Sequence, residues 1–204
     1  MNKSPKKSVF YCKAVTISHG LCEQIFVEEV KKALRLSIGI KSKANGSNSI
    51  QINSLNTMFH HDTDFRTMSS FLKNYSNIEV KRDRPQNLKI FPIMDTDDAS
   101  ESNIIAYKNN TLITNHELSE YIYPIYNTPS LDEVCLAAGL IDRLFHDNEK
   151  RRGYEKLFLN LNKKYGGKET VRYLRDTLAK IYSTKVQTNI SEFLNYCLLW
   201  EENK

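Results

Sequence analysis

The segment 88–98, LKIFPIMDTDD, decides the fold class, because an apolar run of strand length is followed at once by three aspartates. Residues 88–94 are bounded by polar turns. Such a short continuous apolar run is typical of a strand that is buried on both faces of a parallel sheet. Pro92 fits least well, because proline removes one ladder hydrogen bond from a central strand. The segment predicts an α/β protein whose central sheet is mainly parallel.

The N-terminal part of the chain predicts a strand, a helix and a second strand. Residues 8–17 are rich in β-branched and aromatic side chains and form the predicted first strand. Residues 22–36 carry apolar side chains at helical spacing, and residues 37–40 form a short second strand. This order predicts a βαβ unit with a right-handed crossover and parallel strands.

The rest of the chain predicts further helices and a change of pattern near residue 143. The periodicity indicates helices near residues 50–59, 65–75, 101–108 and 131–138, and a strand at 120–126. Residues 81–86, KRDRPQ, form a charged connection. Beyond residue 143 the helical patterns are 154–161, 169–182 and 190–200. We therefore expect an α/β domain over residues 1–142 and a helical extension over residues 143–204, packed on the same core.

The three aspartates after the apolar run predict a metal site. Ligands in open α/β sheets bind beyond the carboxyl ends of the strands, and Asp95, Asp97 and Asp98 lie at such an end. Mg²⁺ favours a few carboxylates together with water and substrate phosphates. The alternative is that the aspartates cap the next helix or form an Asx turn, for which one aspartate would suffice. Three acidic residues favour a metal.

A second acidic group follows the first predicted strand. Glu23 lies at the start of a predicted helix, where the helix dipole favours a carboxylate for purely structural reasons. If the two strands are neighbours, Glu23 instead faces Asp95 and Asp97 across the sheet edge. His19 precedes a glycine in the same loop and is a candidate metal ligand or proton-transfer group, with a structural role as the alternative.

Composition limits the class of protein. The net charge of +5 permits contact with nucleic acid, although solvated helix faces explain it equally well. Four widely spaced cysteines indicate reduced thiols and not a disulfide framework or a zinc ribbon. The basic start of the chain is followed by a stretch too short and too polar for a signal peptide, and no stretch is long enough to span a membrane. We expect a cytoplasmic protein without a membrane partner.

Three stretches carry a resemblance to a known fold: residues 19–23, HGLCE, residues 93–98, IMDTDD, and residues 126–133, YNTPSLDE. They resemble the Toprim fold, the metal-dependent catalytic module of topoisomerases, primases, OLD-family nucleases and RloB-like phage-defence proteins. Residues 19–23, HGLCE, are similar to the strand–E-G-x-x-D/E–helix element of that fold. Residues 93–98, IMDTDD, are similar to its strand followed by D-x-D. Residues 126–133, YNTPSLDE, are similar to the S-N-P-x-F-E segment of OLD and RloB-like members. Together they span roughly residues 8–135, about one domain.

The resemblance implies a Mg²⁺- or Mn²⁺-dependent nuclease, a hydrolase with a role in phage defence or abortive infection. Asp95 and Asp97 would be metal ligands, and His19 or Glu23 would activate water. The Toprim glutamate that handles protons lies directly before the glycine, and His19 occupies that position here. Lys41 and Lys43, in the polar loop after the second predicted strand, are candidate phosphate contacts, with loop solubility as the alternative.

Two other functions stay open at this point. A Toprim-like protein that has lost cleavage would serve as a binding or regulatory subunit, with a protein partner or as a homo-oligomer. A nucleotide-sugar transferase also uses a D-x-D after a strand to hold a metal, but the chain is short for a complete one.

In the third stretch, Asp132 or Glu133 offers a further carboxylate, and capping of a helix N-terminus explains them at least as well.

Overall fold

The computed structural model describes residues 11–75 and 77–203. The strands are β1 (Ala14–Ser18), β2 (Ile38–Lys41), β3 (Val80–Lys81), β4 (Arg84–Pro85), β5 (Lys89–Asp95), β6 (Ile125–Thr128) and β7 (Gln187–Thr188). The central sheet has five strands in the order β2-β1-β5-β6-β7, of which the first four are parallel and β7 is antiparallel to β6. β3 and β4 form a separate antiparallel hairpin. The predicted α/β class with a mainly parallel sheet is confirmed.

Helices cover both faces of this sheet, so each central strand contributes alternate side chains to two hydrophobic clusters. One cluster contains α1, α5, α6, α7 and α8, and the other contains α2, α3 and α4. Burial on both faces explains why β5 reads as a continuous apolar run. The helices are α1 (Leu21–Leu34), α2 (Ile52–His61), α3 (Met68–Asn74), α4 (Glu101–Lys108), α5 (Leu131–Ala137), α6 (Lys150–Tyr165), α7 (Gly167–Leu178) and α8 (Ile190–Glu202).

Pro92 is accommodated in the central strand β5 because it lies where the β5–β6 ladder is interrupted. The two strands are bridged at Ile90 and pair again only from Ile93, so no ladder bond to β6 is required at Pro92. The buried hydroxyl of Tyr107 fills this gap. Its oxygen lies 2.8 Å from the carbonyl oxygen of Pro92 and 2.9 Å from that of Ile125, and these two carbonyls are the acceptors for its single proton.

Several predicted boundaries were wrong, and a proline accounts for one of them. The strand expected at 120–126 begins only at Ile125, because Pro124 has no N–H to donate to a ladder. Residues 81–86 are not a simple connection but contain the β3–β4 hairpin, whose turn residues Arg82 and Asp83 have positive φ. In the predicted first strand, residues 8–10 lie outside the described residues, and strand pairing begins at Ala14.

The segment after residue 142 contributes to the same fold as the segment before it. Side chains of α6, α7 and α8 belong to the hydrophobic cluster that contains α1 and α5. β7 adds an edge strand to the central sheet, which the predicted helical extension did not include. The boundary at 142/143 stays a prediction. In the described part of the chain, no helix is both long and apolar enough to cross a membrane.

Candidate active site

The turn between β1 and α1 brings His19 and Glu23 to the C-terminal edge of the sheet. The backbone N–H of His19 donates to the carbonyl of Ile93 at 2.9 Å, which continues the pairing of β1 with β5. Glu23 lies in the first turn of α1, and its Oε2 accepts from the backbone N–H of Gly20 at 2.9 Å. Glu23 is only 2% exposed, and its Oε1 is buried without a hydrogen-bond partner among the described residues. That oxygen is available to a ligand.

Asp95 is the last residue of β5 and is held on one side by two donors. Its Oδ1 accepts hydrogen bonds from Asn127 Nδ2 at 3.2 Å and from the backbone N–H of Leu131 at 3.0 Å. Asn127 lies directly opposite Asp95 on β6, and its own Oδ1 accepts from the Thr188 hydroxyl at 2.9 Å. These bonds fix the orientation of the Asp95 carboxylate. No described residue donates to its Oδ2, and Asp95 lines a pocket.

Glu23 and Asp95 interact electrostatically across the sheet edge. Burial raises the pKa of Asp95, the carboxylate of Glu23 raises it further, and the hydrogen bonds from Asn127 and Leu131 oppose both effects. Burial also raises the pKa of Glu23, while the attraction of His19 lowers it. Buried carboxylates that repel each other cost stability unless they bind a proton or a cation. The pair is therefore a place where a cation would be stabilised.

The other two aspartates of the acidic segment have different surroundings. Asp97 is exposed and lines the same pocket as Asp95 and Glu23. Asp98 is half-buried, and its Oδ2 lies 3.7 Å from Nε2 of His19. Its Oδ1 and the Nδ1 of His19 are buried without hydrogen-bond partners in the part of the chain that the structure describes. The pocket thus brings together Glu23, Asp95 and Asp97, while Asp98 contacts the imidazole beside them.

Side chains of α5 and α6 line another side of the site. Asp132 Oδ1 accepts a hydrogen bond from the Tyr154 hydroxyl at 2.7 Å, and its Oδ2 accepts a weak one from Cys22 Sγ at 3.5 Å. Lys150 Nζ lies 3.7 Å from Asp132 and 3.0 Å from Asp147. Partial burial lowers the pKa of Lys150, but the carboxylates of Asp147 and Asp132 outweigh it and raise the pKa overall. A protonated lysine therefore lies at the rim of the acidic pocket.

Sequence reasoning missed Lys150, and nothing in its local sequence would have singled it out. It is one of three consecutive basic residues at the start of α6, more than fifty residues after Asp95. Glu133 lies in the first turn of α5, and the capping group there is the hydroxyl of Ser130, which accepts from the backbone N–H of Glu133. Of the two carboxylates considered in this stretch, only Asp132 lines the pocket.

The pocket has a volume of about 490 Å³, and the loop after β2 closes one side of it. Gly46, Ser47 and Ser49 line it. Gly46 has a φ of +82°, and a Cβ there would lie 2.9 Å from the Cα of Leu21 at the start of α1. This close approach requires glycine and fixes the loop beside the site.

The two lysines predicted to contact phosphate lie outside this pocket lining. Lys41 Nζ forms ion pairs with Asp62 at 2.9 Å and Asp64 at 2.7 Å, so its charge is already neutralised. Lys43 is exposed at the base of the loop, where its backbone forms an isolated antiparallel β-bridge with Asn48. A role of either side chain in binding nucleic acid stays a prediction.

No group of three or more His, Cys, Asp or Glu side chains within residues 11–75 and 77–203 is arranged to hold a metal ion as it stands. Comparison with protein-family models, with curated proteins and with solved structures finds no match to this chain. The residues around the pocket include two buried carboxylates at or beyond the ends of adjacent strands, three further carboxylates, an imidazole and a lysine.

Proposed function

We propose that this protein is a Toprim-like, Mg²⁺- or Mn²⁺-dependent phosphoryl-transfer enzyme, a nuclease that acts on nucleic acid in the cytoplasm, with a role in phage defence. The observation that carries the proposal is the pair of buried carboxylates, Glu23 and Asp95, at neighbouring strand ends. One oxygen of each accepts no hydrogen bond from the residues that the structure describes, and both side chains line one pocket. Crevices beyond the carboxyl ends of parallel strands are where open α/β sheets bind ligands.

The residues present fit a hard divalent cation. Glu23, Asp95 and Asp97 supply only carboxylate oxygens, the ligand type that Mg²⁺ prefers, and Mg²⁺ needs only one or two carboxylates because water and substrate phosphate complete its shell. A ready group of three protein ligands is therefore not required. When bound, the ion would neutralise negative charge on a phosphate group.

Three other side chains are suited to the remaining parts of phosphodiester hydrolysis. His19 is 9% exposed, lines the pocket and has an Nδ1 without a hydrogen-bond partner among the described residues, so its imidazole can accept a proton from the attacking water and return it to the leaving oxygen. Asp98, 3.7 Å from Nε2, stabilises the imidazolium that results. Lys150 places an ammonium group at the rim, paired with Asp147 at 3.0 Å and more loosely with Asp132 at 3.7 Å, and a phosphate oxygen can replace the second partner.

A binding or regulatory subunit is the second candidate function. The observation that favours it is the absence, within the described residues, of a ready group of three metal-ligating side chains, together with His19 at the position of the Toprim glutamate. Such a protein would bind nucleic acid or a protein partner without cleaving it. Cleavage assays separate the two candidates.

The test is metal-dependent cleavage of single- and double-stranded DNA and RNA by the purified protein. The wild-type chain is compared with Asp95→Asn and with the control Asp62→Asn, which alters a carboxylate that pairs with Lys41 away from the pocket. We expect cleavage with Mg²⁺ or Mn²⁺ that is lost with EDTA and in Asp95→Asn but retained in the control. Equal cleavage by all three proteins would refute the assignment of the site. No cleavage of any substrate would leave only the binding function.

A further inference from the structure

A second concavity lies beside the acidic pocket, between residues 139–149 and α6. This groove has a volume of about 970 Å³, and Phe145 forms part of its lining. The ring of Phe145 rests on Gly153 of α6, where a Cβ would lie 2.6 Å from the ring. Glycine inside a helix is less favourable than alanine, so the close contact is a physical reason for its presence here. The contact seats the loop on the helix and forms the groove.

The groove presents positive charge that the protein itself does not neutralise. Arg143 is paired through both of its terminal nitrogens with Glu149, at 2.9 and 3.0 Å. Arg152 and Lys156, one turn apart on α6, are exposed and have no ion-pair or hydrogen-bond partner among the described residues. Asp142 is the other acidic residue in the lining. The two unpaired cations make the floor of the groove suited to an anionic ligand.

The groove and the acidic pocket are neighbours on either side of the start of α6. Asp147 and Lys150 line the acidic pocket, whereas Asn148, Glu149 and Arg152 line the groove. The two linings therefore alternate along residues 147–152, which places Arg152 two residues after Lys150 on the same helix. Positive charge combined with an aromatic ring is the composition by which proteins bind single strands without sequence preference.

We propose that this groove binds the backbone of a single-stranded nucleic acid, one phosphate of which lies in the acidic pocket. The proposal rests on the proposed function for the identity of that phosphate. Arg152 and Lys156 contact successive backbone phosphates, and the half-buried Phe145 offers a face for a base. The acidic pocket alone would repel a polyanion, so a cationic path beside it supplies the attraction that holds the strand.

The test is binding of a fluorescent single-stranded oligonucleotide of about 12 nucleotides, followed by anisotropy in EDTA so that no cleavage occurs. The variant Arg152→Ala/Lys156→Ala is compared with Lys163→Ala/Lys164→Ala, which removes the same charge from the last turn of the same helix. We expect the first variant to weaken binding about tenfold or more. Its log–log salt slope should fall by about 1.4, since each phosphate contact to a single strand contributes about 0.7. The control should bind almost as the wild type does.

Equal binding by the two double variants would overturn the proposal, because the groove would then add nothing beyond net charge. Tighter binding of a duplex of the same length would overturn its single-strand part. The outcome is independent of cleavage. If the protein cleaves nothing but the groove variant loses binding, the groove is supported and the nuclease is refuted. If the groove variant binds normally and cleavage depends on Asp95, the nuclease is supported and the groove is refuted.

Discussion

Replacing Asp95 with asparagine separates a metal ligand from an aspartate that serves only the structure. Asparagine keeps an oxygen that accepts from Asn127 and from the backbone N–H of Leu131, as Oδ1 of Asp95 does at 3.2 and 3.0 Å. What it removes is the negative charge near Glu23. If the charge is present for an ion, then its loss should stabilise the metal-free protein and abolish the response to metal.

The expected gain in metal-free stability follows from the pKa of Asp95. Burial and then the Glu23 carboxylate raise that pKa, so the folded state favours the neutral form despite two hydrogen bonds to the charged one. Each unit by which folding raises a pKa corresponds to about 1.4 kcal/mol at a pH where the group is ionised. Asparagine mimics the neutral form. We expect at least about 1 kcal/mol of added stability in EDTA near pH 8, or about 2–4 °C in Tm for a chain of this size.

Asp95→Asn should raise the stability of the metal-free protein but remove the further stabilisation that a metal ion gives. An ion that binds only the folded state stabilises it by about 2.7 kcal/mol at a concentration one hundred times its Kd. For a chain of this size that corresponds to a rise of about 5–10 °C in Tm. Wild-type protein should show this rise with Mg²⁺ or Mn²⁺, and Asp95→Asn should not. Differential scanning fluorimetry in EDTA and in a metal titration measures both effects.

The same two carboxylates predict how the stability of the wild type and of Asp95→Asn depends on pH. Glu23 and Asp95 both have a folded-state pKa above the ordinary value, so the folded protein binds more protons than the unfolded chain. Their contribution to stability is complete below the unfolded pKa of about 4, and it is lost as the pH rises through the folded values. In EDTA, the Tm of wild-type protein should therefore fall as the pH rises above about 4. The loss should be smaller in Asp95→Asn.

Asp62→Asn serves as the control, because the carboxylate of Asp62 pairs with Lys41 at 2.9 Å and does not line the acidic pocket. It should lower the Tm in EDTA and leave the metal response intact. A lower Tm of Asp95→Asn in EDTA, or a metal response equal to that of the wild type, would refute the reasoning about Asp95.

Two further predictions concern the scaffold of the site. Tyr107→Phe removes the buried hydroxyl that donates between the carbonyls of Pro92 and Ile125, and should cost about 1–3 kcal/mol in urea denaturation; a loss below about 0.5 kcal/mol would contradict the bridging role. Gly153→Ala places a Cβ 2.6 Å from the Phe145 ring, so overpacking of about 1–3 kcal/mol should outweigh the gain in helix propensity. An alanine variant more stable than the wild type would show that the Phe145 contact does not constrain α6.

The acidic part of the site could be predicted because its geometry is local. Asp95 directly follows an apolar run, and Glu23 starts a helix directly after another strand. When two such strands are parallel neighbours, their carboxyl ends necessarily meet at one edge of the sheet. The pairing of β1 with β5 is this arrangement. Periodicity and one topological rule were therefore enough to bring the two carboxylates into one prediction.

Lys150 and the cationic groove could not be predicted in the same way. Their position depends on how α6 packs against α1, which is set by contacts such as the edge-to-face pair of Phe26 and Phe158, at 5.4 Å between ring centroids. Amphipathic spacing shows that a helix has a buried face, but not which helix it meets or at which turn. A basic run at the start of a helix looks the same whether it faces solvent or an acidic pocket.

The C-terminal segment is part of the site and not an appendage to it. β7 pairs with β6, and the hydroxyl of Thr188 on β7 donates to Asn127, which in turn donates to Asp95. Asn127 is fully buried, so its amide needs both partners. Without Thr188, Asn127 Oδ1 would lose its partner, and the amide could rotate away from Asp95. The orientation of the proposed metal ligand therefore depends on a strand more than ninety residues further along the chain.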